Sequence, residues 1–82
     1  MVEGHIRNLN REERTAILVT RDGKEVPVRF GPHARFEVCE PASGGLQGGT
    51  LADIGEGYLV QMDVHSHNTD GSCNCGALVS LS

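Results

Sequence analysis

Four side chains able to bind a soft metal ion fall within eleven residues near the end of the sequence: His65, His67, Cys73 and Cys75, in the stretch DVHSHNTDGSCNCGALVS. Residues two apart on an extended strand project to the same side, so H-x-H presents two imidazoles together and C-x-C two thiolates. Two nitrogens and two sulfurs satisfy the tetrahedral preference of zinc, and thiolate-rich ligation also suits copper(I). The candidate metal ligands are therefore His65, His67, Cys73 and Cys75, with Cys39 a possible extra sulfur if its strand neighbours the C-terminal hairpin.

Three features weigh against a single four-ligand site. Structural zinc sites use two to four residues between cysteines, and C-x-C is tighter. There is no second cysteine pair elsewhere in the sequence. If Val79 and Leu81 face the core, unbroken alternation puts Cys75 on their side while His65 faces away from Val64. One shared site then requires the segment from Ser66 to Gly76 to leave the extended form, which the turn-forming residues Asn68, Asp70, Gly71, Asn74 and Gly76 allow. The simpler reading, a hairpin loop with exposed imidazoles and half-buried thiols, stands ahead of the metal. A redox pair ranks lower, because no Lys or Arg lies nearby in sequence to acidify a thiol and Asp70 opposes it.

The elements that position this cluster read as strands and turns, since period-two alternation recurs and no segment holds a 3.6-residue period. VEGHIRNL is a first strand, NREER a polar connection and TAILVT a second strand. Asp22-Gly23 predicts a tight hairpin turn with positive φ at both central residues. The return strand KEVPVRF sets Val26, Val28 and Phe30 on one face, and Pro27 confines it to an edge or to an outward amide position. GPH breaks the run, and ARFEVCE resumes it with Phe36 and Val38 on one face. PASGGLQGG is a loop by composition. TLADIGEG predicts one helical turn near residues 50–54, capped by Thr50, with Leu51 and Ile54 tucked beneath the sheet. YLVQMDVH places Tyr58, Val60, Met62 and Val64 inward, and GALVSLS is the last strand. About six strands with one helical turn predict an all-β fold: a small, partly closed antiparallel barrel, OB-like in the order of its elements, since closure hides strand edges.

Two stretches carry a resemblance. G-H-I-R-N-L followed by A-I-L-V-T-R-D-G-K-E-V-P-V resembles the opening of small bacterial OB-like β-barrel domains of unknown function, in which a Gly-x-Val strand leads to a hairpin ending in Thr-x-Asp-Gly-Lys. T-L-A-D-I-G-E-G-Y-L-V-Q-M resembles the Leu-x-Asp-Leu-x-x-Gly turn of the same domains. The resemblance implies the barrel and carries over no functional residue.

Length and charge bound the function. The 82 residues make one domain spanning positions 1–82, with a thin core and little room for a deep catalytic cleft. No Ser-His-Asp order, nucleophile elbow or phosphate loop occurs, and GGLQGG lacks the lysine and helix of the last, so the expectation is a non-enzymatic binding domain. All seven basic residues lie at or before Arg35, and six acids follow with no Lys or Arg among them. A basic groove with stacking aromatics is what single-stranded nucleic acid requires. The only aromatics are Phe30, Phe36 and Tyr58, all read as inward, so nucleic acid is the weaker alternative. An unknown protein partner, or self-association through an exposed strand edge, is the stronger one. Three cysteines, no signal-like apolar segment and no membrane-length apolar run lead to the expectation of a cytoplasmic protein.

Overall fold

The computed structural model describes residues 2–40 and 45–81. Six strands run in chain order: β1 (Val2–Asn10), β2 (Thr15–Thr20), β3 (Glu25–Glu40), β4 (Gly45–Gly49), β5 (Leu59–His67) and β6 (Cys73–Ser80), with one 3-10 turn, Leu51–Asp53, before β5. Among the described residues no helix is long and apolar enough to cross a membrane.

The expected all-β barrel is present. Strand order is β2-β1-β5-β6-β3-β4, and an additional pairing of β2 with β3 closes five of the six strands into a barrel. Every contact is antiparallel except β3 with β6, which run parallel. β4 stands outside the closed ring, paired to β3 alone.

Closure depends on one glycine. Gly4 lies opposite both Thr20 of β2 and Val60 of β5. A Cβ built there would sit 2.4 Å from the carbonyl oxygen of Val19. Only a residue without a side chain lets β1 curl this closely over β2, the use of glycine expected at a barrel corner. Inward residues then fill the interior, with Ile6, Leu18, Ile54, Val60 and Met62 fully buried. Each such side chain is worth about 1.5–3 kcal/mol relative to exposure. Phe30 and Phe36 meet at a ring-centroid distance of 5.6 Å, tilted by 59°.

Several expectations need correction. The turn after β2 has its carbonyl bond from Thr20 to the Gly23 amide, and only Gly23 takes positive φ (85°). It is a three-residue loop with a left-handed glycine rather than a two-residue Asp-Gly turn. Gly31, Pro32 and His33 do not end the strand: β3 continues through them, and only its pairing with β6 is interrupted, between Phe30 and Arg35. Pro27 lies one residue before that pairing begins at Val28, so its missing N–H removes no bond to β6. Part of PASGGLQGG, expected as loop, is strand β4; residues 41–44 lie outside the described residues. Tyr58 is 37 % exposed instead of inward, its ring lying over Gly55. The helical turn is as expected, with Thr50 accepting from the Ala52 amide, Asp53 accepting from the Thr50 amide, and Leu51 and Ile54 buried.

Candidate functional site

The last strand begins at Cys73, three residues earlier than GALVSLS implies. Leu78 and Ser80 face inward, and Leu81 is 41 % exposed, so the expectation that Val79 and Leu81 face the core is wrong in phase. Register between β5 and β6 shifts twice: Asp63 opposes Ala77, Val64 opposes Cys75 and Ser66 opposes Asn74, which leaves Gly76 and His65 each as an extra residue. The bulge at Gly76 reverses the alternation, so Cys75 and Cys73 both point inward. His65 lies against the other bulge, its Nε2 positioned 3.0 Å from where a Gly76 Cβ would be.

The cluster is thus divided by burial. Cys73 and Cys75 are buried, whereas His65 and His67 are exposed. Cys75 runs alongside Phe30 and Cys73 alongside Val28 across the parallel β3–β6 pair. There the thiols serve as small apolar fillers next to a large ring. Burial pushes the Cys75 thiol up to about 11, partly offset by a backbone hydrogen bond from Ala77 and reinforced by the nearby Asp63 charge; the thiol itself donates to the Ala77 carbonyl, 3.3 Å away. Such a thiol is a poor ligand and a poor nucleophile at neutral pH.

One pair of the four is brought together: His67 opposes Cys73 directly in the β5–β6 register. His65 and Cys75, with His33 from β3, line a shallow groove of about 250 Å³. Nothing in the sequence links His33 to the hairpin; it falls within the break in register between β3 and β6, between Phe30 and Arg35. Among the described residues no group of three or more His, Cys, Asp or Glu side chains is arranged to hold a metal ion. Cys39 is exposed and lies past Val38, which pairs with Ser80 at the far end of β6 from Cys73. It therefore does not neighbour the hairpin. The redox alternative fares no better: extended residues two apart are separated by roughly 6.6 Å, and their parallel Cβ atoms are too far apart for a disulfide without distorting the strand.

The hairpin end is occupied by its own hydrogen bonds. The Asn68 amide side chain donates to Ser72 Oγ (2.9 Å) and to Asn74 Oδ1 (3.0 Å), and Asn74 donates back to Asn68 Oδ1 (3.1 Å) and to Ser66 Oγ (2.7 Å). Asp70 accepts from the Ser72 amide and hydroxyl, and from Arg29 at 3.3 Å. The Ser72 hydroxyl and amide, then Arg29, hold the Asp70 carboxyl below its ordinary range. The turn-forming residues that could have let the loop open instead tie it shut.

The other candidate is the edge of β4, which the sequence presented as loop. β4 pairs through Phe36–Glu40 of β3 on one side, and no strand among the described residues pairs with its other side. Its sequence, GLQGG, has no charge and no proline, and its pairing runs without a bulge. Those are the devices by which natural sheets blunt an edge. Gly49 has an internal reason, since a Cβ there would sit 2.8 Å from the Asp53 carboxylate that caps the 3-10 turn. Gly48 has none: its φ is not positive and a Cβ would meet nothing within 4 Å. A strand glycine of this kind is one of the features found where a ligand or another backbone approaches closely. Beside it runs a groove of about 360 Å³ lined by Ala34, Arg35, Phe36, Glu37, Gly48 and Gly49. Comparison with family models, with curated proteins and with solved structures gives no match, so the reading of both sites rests on their own geometry.

Proposed function

We propose that this chain is a small non-catalytic binding domain whose partner adds a β-strand to the free edge of β4. The observation that carries the reading is the edge itself: five strands close on one another, and β4 alone among the described strands is left outside the ring. Main-chain hydrogen bonds supply the affinity in this mode, and grooves for alternate side chains supply selectivity. The groove beside Gly48 and Gly49, with Arg35 and Glu37 on its rim, is suited to one polar side chain of the added strand. Selecting binders from a library of unstructured heptapeptides tests this. Binders should shift the amide resonances of Gly45–Gly49 and lose affinity for Gly48→Lys; shifts confined to other strands count against it.

Soft-metal binding is the second reading, favoured by one observation, the direct opposition of His67 and Cys73. For His65 and Cys75 to join them the hydrogen-bonded hairpin end has to open. Titrating reduced protein with Zn(II) or Cu(I) should then shift amides from His65 to Gly76, and Cys73→Ser with Cys75→Ser should abolish the effect. Binding should weaken as pH falls, because coordinating imidazoles and thiols must lose their protons.

The OB-like order of the barrel brings in nucleic acid, which such folds bind on the β2–β3 face and adjoining loops. That face carries Ile17, Pro27 and Arg29 but no exposed aromatic, and Arg29 is paired with Asp70. Arg11 donates to the Ile54 carbonyl, Arg14 to those of Phe30 and Gly31, and Arg21 to Glu3. With those cations engaged, this third reading has the least support.

A further inference from the structure

We infer that the strand taken up by β4 is the β4 of a second copy of this chain, antiparallel about a two-fold axis beside Gln47. The inference rests on the reading of β4 as a pairing edge and names its occupant. Antiparallel pairing of a strand with itself is self-complementary, because a two-fold brings the same patch of both copies together.

The sequence of β4 fits that symmetry. With Gln47 at the centre, Gly45 comes opposite Gly49 of the other copy, residue 46 opposite Gly48, and Gln47 opposite its counterpart, where two side-chain amides can bond reciprocally. No charge stands on either strand, so the axis sets no like charges against each other, which would penalise self-pairing. Gly48, which like Gly31 has open space where a Cβ would sit, then has a use: it lets the second backbone approach across residue 46.

The result joins two barrels through one continuous sheet. A five-residue edge is far smaller than a standard interface of about 1,600 Å², so the dimer should be weak. The geometry makes a second demand. Cys39 is exposed and sits opposite residue 46 within each copy. Three strand spacings of about 4.8 Å and a two-residue offset along the strand put the two Cys39 positions roughly 16 Å apart, on the same face.

Three measurements on the full chain test this. Sedimentation from about 10 µM to 1 mM should show the mean mass rising toward that of two chains, and the Gly45–Gly49 amides should shift over the same range. A bismaleimide of about 16 Å span should link two copies through Cys39, and Cys39→Ser should remove the link. Gly48→Lys, whose side chain enters open space, should leave the fold unchanged and raise the dissociation constant at least tenfold. Monomer mass at 1 mM with unshifted β4 amides overturns the inference, as does association that Gly48→Lys leaves intact. If the chain stays monomeric while selected heptapeptides shift Gly45–Gly49, the edge stands and the second copy falls. If neither occurs, both fall.

Discussion

Replacing Gly4 by alanine adds one methyl group at the point where β1 touches both β2 and β5, and the structure fixes what that group meets. Its Cβ would lie 2.4 Å from the Val19 carbonyl oxygen, 2.9 Å from the Val19 carbonyl carbon and 3.1 Å from Leu18 Cδ1. Two of the three are backbone atoms, so no rotamer change relieves the overlap. Carbon–oxygen contacts settle at about 3.3–3.6 Å, which forces β1 and β2 roughly 1 Å apart. An N–H···O bond stretched from about 2.9 Å by that amount is no longer a bond. Losing one or two ladder bonds at about 1 kcal/mol each, with overpacking of about 1–3 kcal/mol, gives a destabilisation of about 3 kcal/mol. A domain of 82 residues has only about 4–12 kcal/mol in total. In urea, with a slope near 1 kcal/mol/M, the midpoint should fall by about 3 M. Gly48→Ala is the control: the same methyl group enters open space, and restricting the unfolded chain should stabilise by about 0.4–1 kcal/mol. If Gly4→Ala unfolds within about 0.5 kcal/mol of the parent, β1 is not held against β2 as described and the account of closure is wrong.

Thiol alkylation followed by mass spectrometry should modify Cys39 first and Cys75 last, because a thiol pushed up to about 11 by burial is ionised in only about one molecule per thousand at pH 8. The same shift has a sign for stability. The folded state keeps the Cys75 proton that the unfolded chain releases near pH 9, so this contribution is intact below about 9 and is lost as pH rises toward 11. Asp70 works in the opposite direction: its carboxyl is held low by Ser72 and Arg29, so its contribution is present above the ordinary carboxylate range and lost as acid titrates it. Ser72→Ala should therefore raise the Asp70 midpoint in an NMR titration, and an unmoved midpoint would contradict the hydrogen bonds assigned to it.

What the sequence made legible was whatever side-chain alternation encodes. TAILVT became β2 without adjustment, Val28 and Phe30 face inward as their spacing implies, and the Thr50 cap with Leu51 and Ile54 beneath it followed from residue type alone. Glycine defeated the same method in three places. GLQGG has too few side chains to alternate, so a strand held by main-chain bonds to β3 looked like a loop. Gly31 falls where β3 loses register with β6 while remaining strand, so it reads as a break. Gly76 adds a residue that reverses the phase of β6, so Cys75 points inward although Val79 and Leu81, from which its direction was inferred, do not. Tyr58 failed for another reason: it precedes β5, packs over Gly55 and lies outside the alternation it seemed to start.

Metal-like spacing and metal-like geometry are separated here by burial and by two register shifts between β5 and β6. C-x-C on an uninterrupted strand can share a face with H-x-H, but here the sulfurs are buried while the imidazoles stay in solvent. The interior has a use for two small apolar groups, because the parallel strand beside them carries Val28 and Phe30. Around them Asn68, Ser72 and Asn74 satisfy one another, and Asp70 is taken by Ser72 and Arg29, so the hairpin end has its polar groups paired. Among the described residues, β4 is the strand left outside the ring, paired on one side to β3. There the absence of side chains conceals the strand in the sequence and leaves its main-chain N–H and C=O groups open to a second strand. A reading led by reactive side chains searches the hairpin, whereas counting where each strand's hydrogen bonds go leads to Gly48.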